Sequence, residues 1–249
     1  MNGIVCHADL PPIFRVPKTT NNKPTILSQK VTITGLGATF FQEVMEALKE
    51  VNFTAEREFR QGELEAWTPT TFKGAPAMEC TNRYLKQLRE DLNNVAIPFP
   101  KEVDPRGALK QLTRPDLAHT EENSVQCIRC LIDGDGKRKY TKAKPQVFRI
   151  GDIVEVQMTL AVVRGEKNKV RMKPILRAIV LLNGDYTQEA LRAQSANAVL
   201  MTKGGGMRTK SFKRKLAYIM EEEYVDMDVE DNEGPRKKQM TADVDTSEV

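Results

Sequence analysis

The chain has 249 residues, a net charge of +4 and only four cysteines (Cys6, Cys80, Cys127, Cys130). A body of that length buries about 70 % of its unfolded surface without disulfide staples, which excludes a small secreted scaffold and points to a reducing compartment. Residues 1–10 lack a cationic stretch leading into an apolar one, and the longest apolar run of the sheet region, 178–182, is far below the roughly 20 residues of a membrane span. Neither a signal peptide nor a membrane partner is expected.

Residues 1–30 carry Pro11, Pro12, Pro17 and Pro24 with little periodicity and read as an irregular N-terminal arm. Val31-Thr32-Ile33-Thr34 is a short strand ending at Gly35-Leu36-Gly37. Thr39 and Gln42 have the spacing of a capping box, and Phe41, Val44, Met45 and Leu48 share one face of the helix that follows. Residues 53–67 have the pattern of a hairpin turning at Gln61-Gly62. Tyr84, Leu85, Leu88 and Leu92 mark a second helix, and the proline-bearing stretch 98–120 reads as a connector.

The second half is β-rich. Residues 125–132 form a strand, Asp133-Gly134-Asp135-Gly136 a turn, and 137–144 a basic run. The longest strand spans 153–164, and 169–182 returns antiparallel to it. Val154, Val156, Met158, Leu160 and Val162 alternate on one face, as do Val170, Met172, Leu176, Ala178, Val180 and Leu182 on the return. Pro174 marks an edge or a bulge. Asp185 and Gln188 cap a helix running to about Met201. The expected class is α+β. It comprises an arm (1–30), a mixed helix and hairpin region (31–97), a connector (98–120), a basic antiparallel β-rich region with a C-terminal helix (121–202) and a disordered charged tail (203–249).

Catalytic and metal motifs are sparse. Cys127-Ile128-Arg129-Cys130 lacks a second pair at zinc spacing, and an offset of three in a strand sends the sulfurs to opposite faces. No metal or other cofactor is expected. A calcium loop counted from Asp133 meets Lys144 where a bidentate Glu is needed. Gly35-Leu36-Gly37 lacks the third glycine and the lysine of a phosphate loop. With two histidines and no G-x-S-x-G or H-E-x-x-H, no catalytic residues are assigned.

Charge is the informative signal. Between positions 137 and 177 stand twelve Lys/Arg against three acids. Lys169, Arg171, Lys173 and Arg177 fall opposite the apolar side of the return strand, and Gln157 and Thr159 offer the equivalent side of its partner. Cations two apart lie about 7 Å from one another on one face, a spacing suited to tracking phosphates. Lys137, Arg138, Lys139, Lys142 and Lys144 extend that surface. Its aromatic neighbours, Tyr140, Phe148 and Tyr186, are near it in sequence only. In the tail, Lys210, Lys213, Arg214 and Lys215 and then Arg236, Lys237 and Lys238 flank eight acids between 221 and 233, the pattern of a nuclear-import signal in a segment too charged to order itself.

Phe148-Arg149-Ile150-Gly151-Asp152-Ile153-Val154-Glu155-Val156-Gln157, with Leu176-Arg177-Ala178-Ile179-Val180-Leu181-Leu182-Asn183 and Phe212-Lys213-Arg214-Lys215, resembles an uncharacterised protein family of mushroom-forming fungi, which brings no assigned activity. The same G-D-I-V-E-V-Q strand resembles an early strand of an OB-type barrel, a fold that often binds single strands. The leading expectation is a nuclear, non-enzymatic nucleic-acid-binding protein using the basic sheet face. The alternatives are a protein-interaction module recruiting partners through its sheet edge and tail, and an enzyme of unknown class.

Overall fold

The computed structural model describes residues 1–16, 23–88, 95–165 and 169–203, with 196–203 described by backbone alone. The charged tail and the residues read as an import signal lie outside the described residues. In chain order, with short 3-10 turns between them, the elements are β1 (Asn2–Asp9), β2 (Ser28–Thr34), α1 (Thr39–Glu56), β3 (Leu64–Glu65), β4 (Thr70–Phe72), β5 (Ala75–Arg83), β6 (Lys86–Gln87), β7 (Leu117–Ala118), β8 (Gln126–Ile132), β9 (Arg138–Lys142), β10 (Ile153–Arg164), β11 (Val170–Asn183) and α2 (Asp185–Lys203).

Five of these strands close on themselves. β5 pairs with β2, β2 with β1, β1 with β10 and β10 with β11, all antiparallel, and β11 returns to β5 in parallel at Ile175–Thr81. This circuit is the Greek-key barrel of OB-type folds, and with α1 and α2 it makes the chain α+β. The closure follows from alternation: Val5, Val31, Ile33, Met78, Cys80, Val154, Val156 and Leu176 point into one core. Helix α1 adds Phe41, Met45 and Leu48 to it. Burying three such side chains contributes about 1.5–3 kcal/mol each. Gly35 lets α1 approach, because a Cβ there would stand 2.3 Å from Phe41 Cβ.

β11 changes neighbours along its length. Its first half pairs in parallel with β3 and β5, its second half with β8, and β9 pairs beyond β8. The β8–β9 hairpin is thus an arm outside the barrel circuit. Pro174 stands opposite Leu160 of β10 and, on the other edge of β11, falls between the pairing with β3 and that with β5. Between β5 and β8 the connector packs on a second core of Tyr84, Leu85, Leu109 and Leu117.

Several sequence expectations are corrected. The segment read as an irregular arm supplies β1 and the start of β2. Gly3 and Val5 are buried there, Gly3 in a space so narrow that a Cβ would meet Ile33 and Phe41 at 3.1–3.2 Å. Residues 53–67 are not a hairpin, since α1 continues to Glu56 and only Leu64 and Glu65 form strand. Buried Asn52 of α1 accepts the Trp67 amide N–H at 3.0 Å and so joins helix to strand. The hairpin in this region is β4–β5, whose turn residues Lys73 and Gly74 both have positive φ (49° and 80°), as a tight two-residue turn demands. Tyr84 and Leu85 are core residues ahead of β6 rather than helix, and 89–94 lie outside the described residues. Residues Met1–Gly204 form one compact unit. The helix caps differ as well: Ala38 is the N-cap of α1, and the Asn183 side chain, not Asp185, accepts the first amide of α2.

Candidate nucleic-acid interface

The register of three strands gathers charge from distant parts of the sequence. Lys30 of β2 lies opposite Thr81 of β5, and Thr81 lies beside Ile175 of β11. Glu79 and Arg83 flank Thr81 along its strand, while Lys173 and Arg177 flank Ile175. Residues in such rows stand about 4.8 Å apart across the strands and about 7 Å apart along them. Arg171 is the next outward position. Lys30 pairs with Glu79 at 3.9 Å, and the parallel register sets Lys173 beside Glu79, with Arg83 and Arg171 on the same face to either side.

Lys173 registers the resulting field. Burial lowers its pKa below the usual lysine value, Arg83 and Arg171 lower it further, and Glu79 opposes them. Arg83 and Arg171 are exposed and Lys173 is half-buried, so an arriving anion would favour the charged form of Lys173. Lys30 and Arg83 do not appear in the sequence reading of this face, because their place follows from pairing between strands far apart in the chain.

The predicted cations are not all equivalent. Lys169 and Arg171 are exposed, Lys173 is half-buried, and Arg177 is engaged in holding the turn after the connector. The Arg177 guanidinium donates from Nε to Thr159 Oγ1 at 3.1 Å and from Nη1 to the Glu122 carbonyl at 2.6 Å. Asn82 also donates to the Glu122 carbonyl, at 2.9 Å, and Lys86 pairs with the Glu122 carboxylate. The turn at Glu121–Asn123, directly after the connector, thus meets β11 at Arg177, beside the basic rows.

Lys137, Arg138, Lys139 and Lys142 occupy the arm, not the barrel face. Lys142 lies opposite Ile128, which pairs with Val180. From Lys173 to Val180 is seven residues, or about 24 Å of strand. On the arm, Arg138, Tyr140 and Lys142 share one face of β9 by alternation, and Tyr140 is 54 % exposed. The arm therefore sets an accessible aromatic between two cations, which the barrel rows lack. Asp133-Gly134-Asp135-Gly136 forms the arm's turn, with Asp133 Oδ1 accepting the amides of Asp135 and Lys137 at 3.1 and 2.8 Å.

The thiols are all free. Cys127 lies in the core, where burial pushes its pKa up to about 12, and Cys130 is opposite Tyr140 on the other face of β8. Among the described residues no three His, Cys, Asp or Glu side chains are grouped as metal ligands would be, and no helix is long and apolar enough to cross a membrane. Gly35-Leu36-Gly37 is a strand-to-helix turn.

No family model matches the chain, and no curated protein is similar to it. Among solved structures it is similar to gp2.5, a single-stranded DNA-binding protein encoded by bacteriophage T7, at 12 % identity and a TM-score of 0.36, over 74 % of this chain and 91 % of that one.

Proposed function

We propose that this chain is a nuclear, non-enzymatic nucleic-acid-binding protein whose outer barrel face, built from Lys30, Arg83, Arg171 and Lys173 with Lys169 at its margin, neutralises phosphates. The observation that carries the reading is the strand register that brings Lys30, Arg83, Arg171 and Lys173 to the outer face of one barrel, with Glu79 as the carboxylate paired to Lys30. A surface that gathers cations in this way attracts a polyanion. Fold-level analogy adds support, since OB barrels bind oligonucleotides on the face of their second and third strands. Here those strands are β2 and β5, which carry Lys30 and Arg83. The arm's Arg138, Tyr140 and Lys142 extend the contact, with Tyr140 as a stacking platform suited to single strands. Fluorescence polarisation with labelled single- and double-stranded DNA and RNA tests this. Binding should be lost or strongly weakened in Arg83→Ala/Lys173→Ala, and absence of affinity for all four probes at low salt would refute it. Nuclear entry through the two basic tail clusters is tested by localising a fluorescent fusion with Lys213, Arg214 and Lys215 replaced.

A second reading, a protein-interaction module, is favoured by one observation. The arm exposes Ile132, to 69 %, on the same face as exposed Tyr140 near its tip. Exposed apolar side chains gathered at one place mark contact surfaces.

A further inference from the structure

On the outer face of the barrel a carboxylate stands amid the cations, and it is open to solvent. Glu79 of β5 lies opposite Thr32 of β2 and diagonal to Lys30, and the parallel register of Ile175 with Thr81 sets Lys173 beside it. The Glu79 side chain is 43 % exposed, so a ligand lying on the face can reach it. Lys30 Nζ approaches to 3.9 Å, which is beyond hydrogen-bond length, and the carboxylate accepts no hydrogen bond among the described residues. Both oxygens therefore keep acceptor capacity. Burial, Arg83 and Arg171 lower the Lys173 pKa while Glu79 raises it, so the two side chains share one field. The other carboxylate of this face, Glu65, stands beside Arg171 at the margin.

A carboxylate amid phosphate contacts lowers affinity for every polyanion, unless the same ligand also brings it donors. Nucleobases bring donors. The two oxygens of a carboxylate accept a pair of parallel N–H groups, as they do from a guanidinium. Among unpaired nucleobases, guanine alone sets two neighbouring donors, N1–H and N2–H, on its pairing edge. Adenine and cytosine each set an acceptor nitrogen beside one amino group, and thymine or uracil flanks one donor with two carbonyls. With any of these, one carboxylate oxygen meets a lone pair. Proteins read unpaired bases of single strands by that edge. We propose that Glu79 reads guanine in a single strand held on this face, accepting N1–H and N2–H while Lys30, Arg83 and Lys173 hold the neighbouring phosphates. This role rests on the nucleic-acid reading of the same face and adds to it the preferred base.

Fluorescence polarisation at low salt tests this on the full chain, with thymine oligonucleotides that carry guanine, hypoxanthine, adenine or cytosine at every third position. The guanine probe should bind about tenfold tighter than the adenine and cytosine probes, since one bidentate base contact discriminates by roughly that factor. Hypoxanthine lacks the N2 amino group and should lose most of the preference, a comparison that needs no variant to fold. Glu79→Gln removes a negative charge and one acceptor at an exposed position. It should tighten the adenine, cytosine and all-thymine probes and bring guanine level with them. Equal affinities for all bases in the unaltered chain, or hypoxanthine bound as tightly as guanine, would overturn the proposal. So would a Glu79→Gln that tightens every probe alike, because Glu79 would then only balance charge. Binding without base preference would sink this role alone, whereas no binding of any probe would sink the nucleic-acid reading and this role with it.

Discussion

Two groups of cations in this molecule look alike as sequence and differ as structure. On the barrel face, Arg171 and Lys173 sit on a strand locked into a closed circuit, and β2 and β5 bring Lys30 and Arg83 beside them. On the arm, Lys137, Arg138, Lys139 and Lys142 are exposed on a hairpin with one free edge. Of the barrel cations, Lys30 and Lys173 are half-buried and Arg83 and Arg171 exposed, and all four stand on strands of the closed circuit. The arm cations are solvated and separated, and their local distinction is Tyr140. Charge fixed on a closed barrel favours affinity for phosphate, whereas a solvated hairpin with an aromatic favours adaptable contact with bases.

The largest expected contrast is in stability. Phe41→Ala, inside the barrel core, should cost about 3–5 kcal/mol. Ile132→Ala on the arm should stay within about 0.5 kcal/mol. Urea denaturation of both variants checks this, and similar midpoints would show that the arm is as integral as the barrel.

A smaller effect is expected where the segment around Glu122 is tied to the barrel. Arg177→Ala removes two hydrogen bonds from a charged donor, and bonds of that kind are worth about 1.5–3 kcal/mol when shielded. The half-buried position of Arg177 places the effect toward the low end. Limited proteolysis should then cut first within 98–120 while barrel fragments persist. Uniform digestion would contradict that role.

The smallest effect concerns protons. The Lys173 pKa is lowered in the folded protein, so its stability contribution rises with pH between that lowered value and the ordinary 10.5. A bound phosphate restores the charged form, so affinity should fall as pH climbs through the same window. Calorimetry in two buffers of different ionisation enthalpy should detect proton uptake on binding at alkaline pH. Lys173→Arg should abolish that uptake while preserving affinity, because a guanidinium does not titrate there.

The sequence made some of this legible. The long β10–β11 hairpin announces itself through Val154, Val156, Val170 and Met172, and the strand–turn–helix at Gly35-Leu36-Gly37 through its glycines. β1 stayed hidden because only Gly3 and Val5 of its alternating positions are buried, and Gly3 carries no side chain to reveal a face. The 53–67 region misled because β-prone Phe53 and Thr54 belong to a helix whose Asn52 is fixed by Trp67. Of the basic face, the alternation along β11 was readable. Lys30 and Arg83 were not, since summed charge along the chain cannot see register between strands.

The most direct test of the central claim is the salt dependence of oligonucleotide binding in three proteins: the unaltered chain, Arg83→Ala/Lys173→Ala on the barrel, and Lys137→Ala/Lys139→Ala on the arm. Each phosphate contact contributes about −0.7 to the slope of log affinity against log salt on single strands. The barrel variant should therefore lose about 1.4 units of slope, and the arm variant less. An arm variant that loses as much slope as expected of the barrel, with the barrel variant unchanged, would move the interface to the hairpin and contradict the account.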